Sequence, residues 1–359
     1  MIYPIYKPII GEKEKEYVNE CLDSTWISSR GKFIEKFEEN IKHVTESNYC
    51  TSVCNGTTAL HLALMCLGIK NGDKVIAPDF TYVATVNPIK YVGAEPILVD
   101  VRGDDWNISY EEVVKNYEKD VKAIILVDIY GAPPKDLDKI LEFAKDKGVF
   151  VIEDSAESLG GSYNSKPCGS LADVGIFSFF GNKTITTGEG GALVTNNDKI
   201  NYLSKKIRDQ GNSEYQKYHH DILGHNFRMT NIQAAIGCAQ IEKLEPILSD
   251  KQNILNWYKK HLNNNVVFQV LGDNIKSSNW MVSFLIEKDR DSAINKLKKF
   301  QIETRPFFPP VSTMPFYKNC SNIKSQYISK KGISVPSYPQ LKESDVKKIC
   351  ESINLILSS

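Results

Sequence analysis

No cysteine in this chain stands in a Cys-x-x-Cys pair, and no Cys/His cluster has the spacing of a zinc site, so no metal is expected. The eight cysteines are scattered, and the nearest pair, Cys50 and Cys54, reads as two buried thiols. Net charge is missing too: 44 Lys+Arg against 44 Asp+Glu remove the electrostatic footing for nucleic acid or an anionic membrane surface. No apolar run approaches the ~20 residues of a membrane span. The opening Met-Ile-Tyr-Pro carries no basic-plus-apolar leader, so the expected compartment is the cytoplasm. A Gly-x-Gly-x-x-Gly turn after an early strand is also absent, and Gly188-Glu189-Gly190-Gly191 has neither that spacing nor a following helix, which argues against a nicotinamide oxidoreductase. What remains is an ordinary globular chain of 359 residues, 42% hydrophobic, long enough for more than one domain.

Periodicity supplies the architecture. After a charged helix over 12–23, helix, strand, helix, strand, helix and strand alternate over 32–44, 48–54, 57–67, 74–78, 81–92 and 95–99, separated by short Gly/Asp turns. Such alternation predicts a doubly wound, mostly parallel α/β sheet. A helix over 110–117, a strand over 123–127, a turn over 128–131, a helix over 134–146 and a strand ending in Asp154 continue it. A large domain is expected over 1–241, including an N-terminal arm. A smaller α+β domain over 242–359 would hold a long helix over 242–262, strands over 281–286 and 303–307, and helices over 290–300 and 344–357.

Three segments carry chemistry. Asp173–Val194 sets a single lysine, Lys183, between two apolar strand-like runs, with glycines at 181, 188, 190 and 191 and small donors around it, Ser178 among them. A partly desolvated lysine can act as an amine nucleophile, which is what a Schiff-base lysine requires. Upstream, Gly148–Leu159 is a buried-strand run that ends in Asp154 with Glu157 following, and ligands bind at the carboxyl edge of such sheets. Pyridoxal phosphate needs a carboxylate at its ring nitrogen to serve as an electron sink; Asp154 is assigned there, with Glu157 beside the ring hydroxyl. Asp is also a favoured helix cap, so Asp154 taken alone is ambiguous. Earlier still, Asn55-Gly56-Thr57-Thr58 opens directly into an apolar helix, and the amides of Gly56, Thr57 and Thr58 offer a phosphate site. Tyr82 follows a strand at the same sheet edge, where it can stack on a cofactor ring or pack in the core.

Together with Trp26–Gly31, Asn226–Gly237 and Glu303–Phe308, these segments resemble the DegT/DnrJ/EryC1/StrS family of fold-type I aminotransferases, over nearly the whole chain. The resemblance implies pyridoxal 5'-phosphate on Lys183, L-glutamate as amino donor and a nucleotide-linked keto sugar as acceptor. A GDP-linked 4-keto-6-deoxymannose aminated at C-4 is preferred, for surface polysaccharide biosynthesis. A dTDP- or UDP-linked sugar, or amination at C-3, is the alternative. It places Tyr82 on the cofactor ring, implies that Asn226 reaches a partner's cofactor phosphate across a homodimer interface with shared active sites, and puts Trp26, Ser29, Glu189, Arg228 and Arg305 near substrate. The His found in many relatives is replaced here by Asp128, and Ser312 stands where some relatives place His. A dehydratase of the same family typically carries His at the lysine position, which Lys183 argues against; a catalytically silent relative has no need to keep Lys183, Asp154 and Ser178 together.

Overall fold

The computed structural model describes residues 2–263, 265–318 and 320–358. Seven strands build the central sheet: β1 (Tyr49–Val53), β2 (Lys74–Pro78), β3 (Glu95–Val99), β4 (Val121–Val127), β5 (Phe150–Asp154), β8 (Val174–Ser178) and β9 (Gly191–Thr195), in the order β1-β9-β8-β5-β4-β2-β3. The short hairpin β6 (Ser162–Tyr163) and β7 (Lys166–Pro167), joined by β11 (Ile275–Lys276), lies apart. From β8 to β3 every neighbour is parallel, whereas β9 runs antiparallel to both β8 and β1. A parallel sheet must be covered on both faces, and β4 shows how: Ala123, Ile125 and Val127 pack toward the helix Gly56–Cys66, while Ile124 and Leu126 pack toward the helix Leu137–Lys147.

Most expected elements form within one to three residues of their predicted ends. Where they do not, the reason is local. The helix expected over 81–92 breaks into a 3-10 turn (Val83–Thr85) and a short helix (Asn87–Tyr91), because Pro88 has no N–H to continue a helix through it. The strand expected over 303–307 shrinks to β13 (Arg305–Pro306), which proline at its end confines to a sheet edge. Ahead of it, β10 (Val266–Phe268), β12 (Val282–Ile286) and, after it, β14 (Gly332–Val335) complete an antiparallel sheet ordered β10-β12-β14-β13. β14 follows directly on a helix, Ile323–Lys331, and neither was signalled by the sequence pattern.

The C-terminal portion has its own core, in which Ile254 and Tyr258 of the helix Leu244–His261 meet Val282, Phe284 and the final helix Glu343–Ser358. A second core joins it to the large sheet, since Trp280, Phe307 and Val311 belong to the same apolar cluster as Leu60 and Ile125. The N-terminal arm runs onto the smaller portion, with Tyr3 bridging Ile302 and the Ile5 amide donating to Glu303 at 3.0 Å. All eight cysteines are free; Cys50 is buried and Cys54 half-buried. Among the described residues, no helix is long and apolar enough to cross a membrane.

Candidate active site

The carboxyl ends of β5 and β8 open into a cavity of about 440 Å³. Its lining includes Gly56, Thr57, Tyr82, Asp154, Glu157, Ser178, Lys183, Glu189 and Arg305, nine of the residues singled out in the sequence.

The helix Gly56–Cys66 aims its N-terminus at this cavity. Asn55 caps it: the side-chain oxygen accepts from the Thr58 amide at 2.9 Å and the Asn55 amide donates to the Thr58 hydroxyl at 3.2 Å. Thr58 is thereby consumed by the cap, leaving Gly56 and Thr57 as the amides that face the cavity. Glycine is required where the turn presses against the sheet: a Cβ on Gly56 would lie 2.8 Å from the Ser178 Cβ, and one on Gly191 would lie 2.5 Å from the Asn55 backbone.

Asp154 ends β5 on the cavity floor. Its Oδ2 accepts from the Thr85 hydroxyl at 2.7 Å and its Oδ1 from the Ala156 amide at 3.2 Å. Burial raises its pKa, while those two bonds and the Lys183 charge act in the opposite direction. Glu157 lies one turn on, its Oε2 accepting from the Tyr130 amide at 2.8 Å and its Oε1 3.6 Å from the Lys183 Nζ. Burial pushes the Glu157 carboxyl up to about 7, outweighing the nearby lysine. Behind both acids sits Asp128, whose Oδ2 accepts from the hydroxyls of Ser155 at 3.0 Å and Ser158 at 2.5 Å, locking the turn that joins Asp154 to Glu157. Burial, together with neighbouring Glu153, pushes the Asp128 carboxyl well above the usual carboxylate range. Asp128, Glu153 and Cys168 bring ligand-type atoms within 4.8 Å of one another. The Glu153 oxygens already accept from the amides of Gly169 and Leu171, at 2.7 and 3.0 Å.

Lys183 enters from the opposite wall. Its Nζ lies 4.2 Å from the centre of the Trp280 ring, and its carbonyl accepts from the Tyr6 hydroxyl at 2.7 Å. The Trp280 indole N–H donates to the Asn182 carbonyl at 2.7 Å. Tyr82 is largely exposed, 5.5 Å from Phe308, and Phe308 is parallel to Tyr130 at 5.9 Å. The sequence pattern gave no notice of Thr85, Tyr130 and Trp280 as cavity residues. Thr85 was absorbed into an expected helix; Tyr130 takes a φ of 55°, a backbone state no residue pattern announces ahead of Gly131.

Other expected residues lie outside the cavity lining. Trp26 is exposed, and its carbonyl accepts from the Asn231 side chain at 2.7 Å; Ser29 is half-buried on the same loop. Asn226 is exposed beside Asp209, with which it forms an isolated bridge, and Arg228 donates to the Asp209 carboxylate at 2.5 Å. Ser312 is buried away from the cavity, its amide and hydroxyl donating to Asp79 at 2.7 and 2.8 Å.

A phosphorylated, aromatic, electrophilic cofactor fits this donor set. A helix N-terminus flanked by the Thr57 and Ser178 hydroxyls would suit a phosphate, a buried carboxylate would suit a ring nitrogen, and a single lysine reaches the space between. The fold and this arrangement define a fold-type I pyridoxal phosphate enzyme. The chain belongs to the DegT/DnrJ/EryC1/StrS aminotransferase family, whose sequence pattern it matches over residues 8–354. It is 46% identical over 355 residues to GDP-perosamine synthase of Escherichia coli O157:H7, covering 98% of this chain and 97% of that one. It is 39% identical to GDP-perosamine synthase of Vibrio cholerae, covering 98% of each. Among solved structures, the aminotransferase TlmJ from Streptoalloteichus hindustanus shares the fold with a TM-score of 0.94 at 24% identity, covering 99% of both chains.

Proposed function

We propose that this aminotransferase moves the amino group of L-glutamate to the 4-keto carbon of GDP-linked 4-keto-6-deoxymannose, releasing 2-oxoglutarate and GDP-perosamine for surface polysaccharide synthesis. The observation that carries the reaction class is the convergence of Lys183, Asp154 and the Gly56–Thr57 helix N-terminus on one cavity. Identity of 46% and 39% to two GDP-perosamine synthases, each along nearly the full chain, supports the acceptor.

Bound pyridoxal phosphate supplies a reactive carbonyl and an electron-accepting ring. Lys183 would hold the group through its Nζ, and that amine, when free, is placed to take a proton from the α-carbon of glutamate and, in the second half-reaction, to give one to C-4 of the sugar. Asp154, fixed by Thr85 and the Ala156 amide, keeps the ring nitrogen protonated. Glu157 lies beside Lys183, where it would face the phenolic side of the ring. The amides of Gly56 and Thr57 and the Ser178 hydroxyl would hold the phosphate, and Tyr82 would lie against the ring. Trp26, Ser29, Glu189, Arg228 and Arg305 serve the substrate. The active unit is a cytoplasmic homodimer in which Asn226 reaches the partner's cofactor phosphate, a reading supported by the exposed Tyr215, Tyr218 and Leu223 in the segment ahead of it.

The test is the visible spectrum of the purified protein with pyridoxal phosphate. A yellow band should form, bleach with L-glutamate, and return on adding GDP-4-keto-6-deoxymannose but not the dTDP- or UDP-linked analogues. Failure to form the band removes the reaction class; recovery with another nucleotide sugar replaces the acceptor.

A further inference from the structure

Lys251 lies in the middle of the helix Leu244–His261 and is 1% exposed. Lysines are seldom buried so completely without a carboxylate partner, because an unpaired cation taken from water is costly. Among the described residues Lys251 forms no ion pair. Its Nζ instead donates to the Trp280 carbonyl at 2.8 Å and lies 5.1 Å from the centre of the Tyr6 ring. Burial lowers it to about 7, easing that cost by letting the amine shed its proton.

Both contacts lead to the same stretch of backbone. Trp280 donates from its indole to the Asn182 carbonyl and presents its ring to the Lys183 Nζ; the Tyr6 hydroxyl donates to the Lys183 carbonyl. One buried amine therefore contacts the backbone of Trp280 and the ring of Tyr6, from the small portion and from the N-terminal arm, and the side chains of these two residues grip the consecutive carbonyls of Asn182 and Lys183. We infer that Lys251 is a positioning residue for Lys183: it holds Trp280 and Tyr6 so that the backbone carrying the reactive amine stays fixed while the side chain moves between attachment and proton transfer. A fixed Cα is what keeps the Nζ within reach of both positions, and small misplacements of reacting groups are costly in rate.

This inference rests on the aminotransferase reading, and Lys251→Met tests it separately. Methionine retains an apolar stem of similar length, so the core stays filled. The full-length variant, labelled with 5-fluorotryptophan, is compared with wild type in two ways. In cofactor-free protein the Trp280 fluorine resonance, assigned by Trp280→Phe, should shift or broaden. With pyridoxal phosphate, kcat for the complete amino transfer from L-glutamate should fall about tenfold or more while KM for L-glutamate stays within about twofold. A folded variant with an unmoved resonance, or with wild-type kcat, overturns the inference. Wild-type protein that never turns yellow refutes the parent reading instead, and the resonance still decides the role of Lys251. Should Lys251→Met not fold, Tyr6→Phe removes only the hydroxyl that grips Lys183: the same loss of kcat at constant KM supports the inference, and an unchanged kcat overturns it.

Discussion

Lys183 is the side chain on which the proposed chemistry turns, and Lys183→Arg should abolish turnover, because a guanidinium stays protonated and cannot serve as the nucleophilic amine. Steady-state activity persisting in the pure, folded variant would remove Lys183 from its role. Thr85 tests the environment of Asp154. Its hydroxyl is the only side-chain donor on that carboxylate among the described residues, at 2.7 Å. A hydrogen bond to a charged acceptor contributes about 1.5–3 kcal/mol. Thr85→Val should therefore lower kcat about tenfold or more, and Thr85→Ser should keep most of it. Equal kcat in the two variants would mean that Thr85 supports the turn and not the carboxylate. Lys183 and Asp154 were legible in the sequence because their chemistry needs a local frame: an apolar strand ending in a carboxylate, a lysine among glycines. Thr85 and Trp280 were not, because what makes them part of the cavity is the approach of segments 69 and 98 residues away in the chain.

At the scale of elements, the segment after β13 is held over the cavity by one buried carboxylate. Asp79, at the carboxyl end of β2, accepts from the amide and hydroxyl of Ser312 and from the Asn322 side chain at 3.0 Å, while its own carbonyl accepts from the Val311 amide at 2.9 Å. Arg305 and Phe308, just upstream of this clamp, line the cavity. Ser312→Ala should cost about 1 kcal/mol of stability. Asp79→Ala strands several buried donors and should cost on the order of 3 kcal/mol. If the clamp governs the acceptor side, Asp79→Ala in folded protein raises KM for the keto sugar while the bleaching of the yellow band by L-glutamate keeps its rate. Slowed bleaching would place the defect at the lysine instead. The parallel sheet itself was readable, since strands buried on both faces are continuous apolar runs between capped helices. β14 was hidden for the opposite reason: Gly-Ile-Ser-Val joins a helix without a turn signal, and its place comes from pairing with β12 and β13, a tertiary fact.

The whole molecule carries the cost of building its site from buried ionisable groups, and that cost has a signature in pH. Burial raises Glu157 from 4.5 to about 7, so the folded chain binds this proton more tightly than the unfolded chain. Stability from this group is therefore highest below 4.5 and falls as pH rises toward 7, by roughly 3 kcal/mol at most. Lys251 acts in the opposite sense over a different window: lowered from 10.5 to about 7, it binds its proton less tightly when folded, so stability rises between those values. The two slopes meet near pH 7, where the summed contribution of these two groups to the stability of cofactor-free protein is lowest. The pair separates on mutation. Glu157→Gln still accepts from the Tyr130 amide but has no proton to lose, so its stability relative to wild type should grow between pH 5.5 and 7.5 and then stay level. Urea denaturation of both cofactor-free proteins across that interval measures the difference directly; a constant gap would show that Glu157 is already ionised at pH 5.5 and that the Lys183 ammonium, 3.6 Å away, prevails over burial.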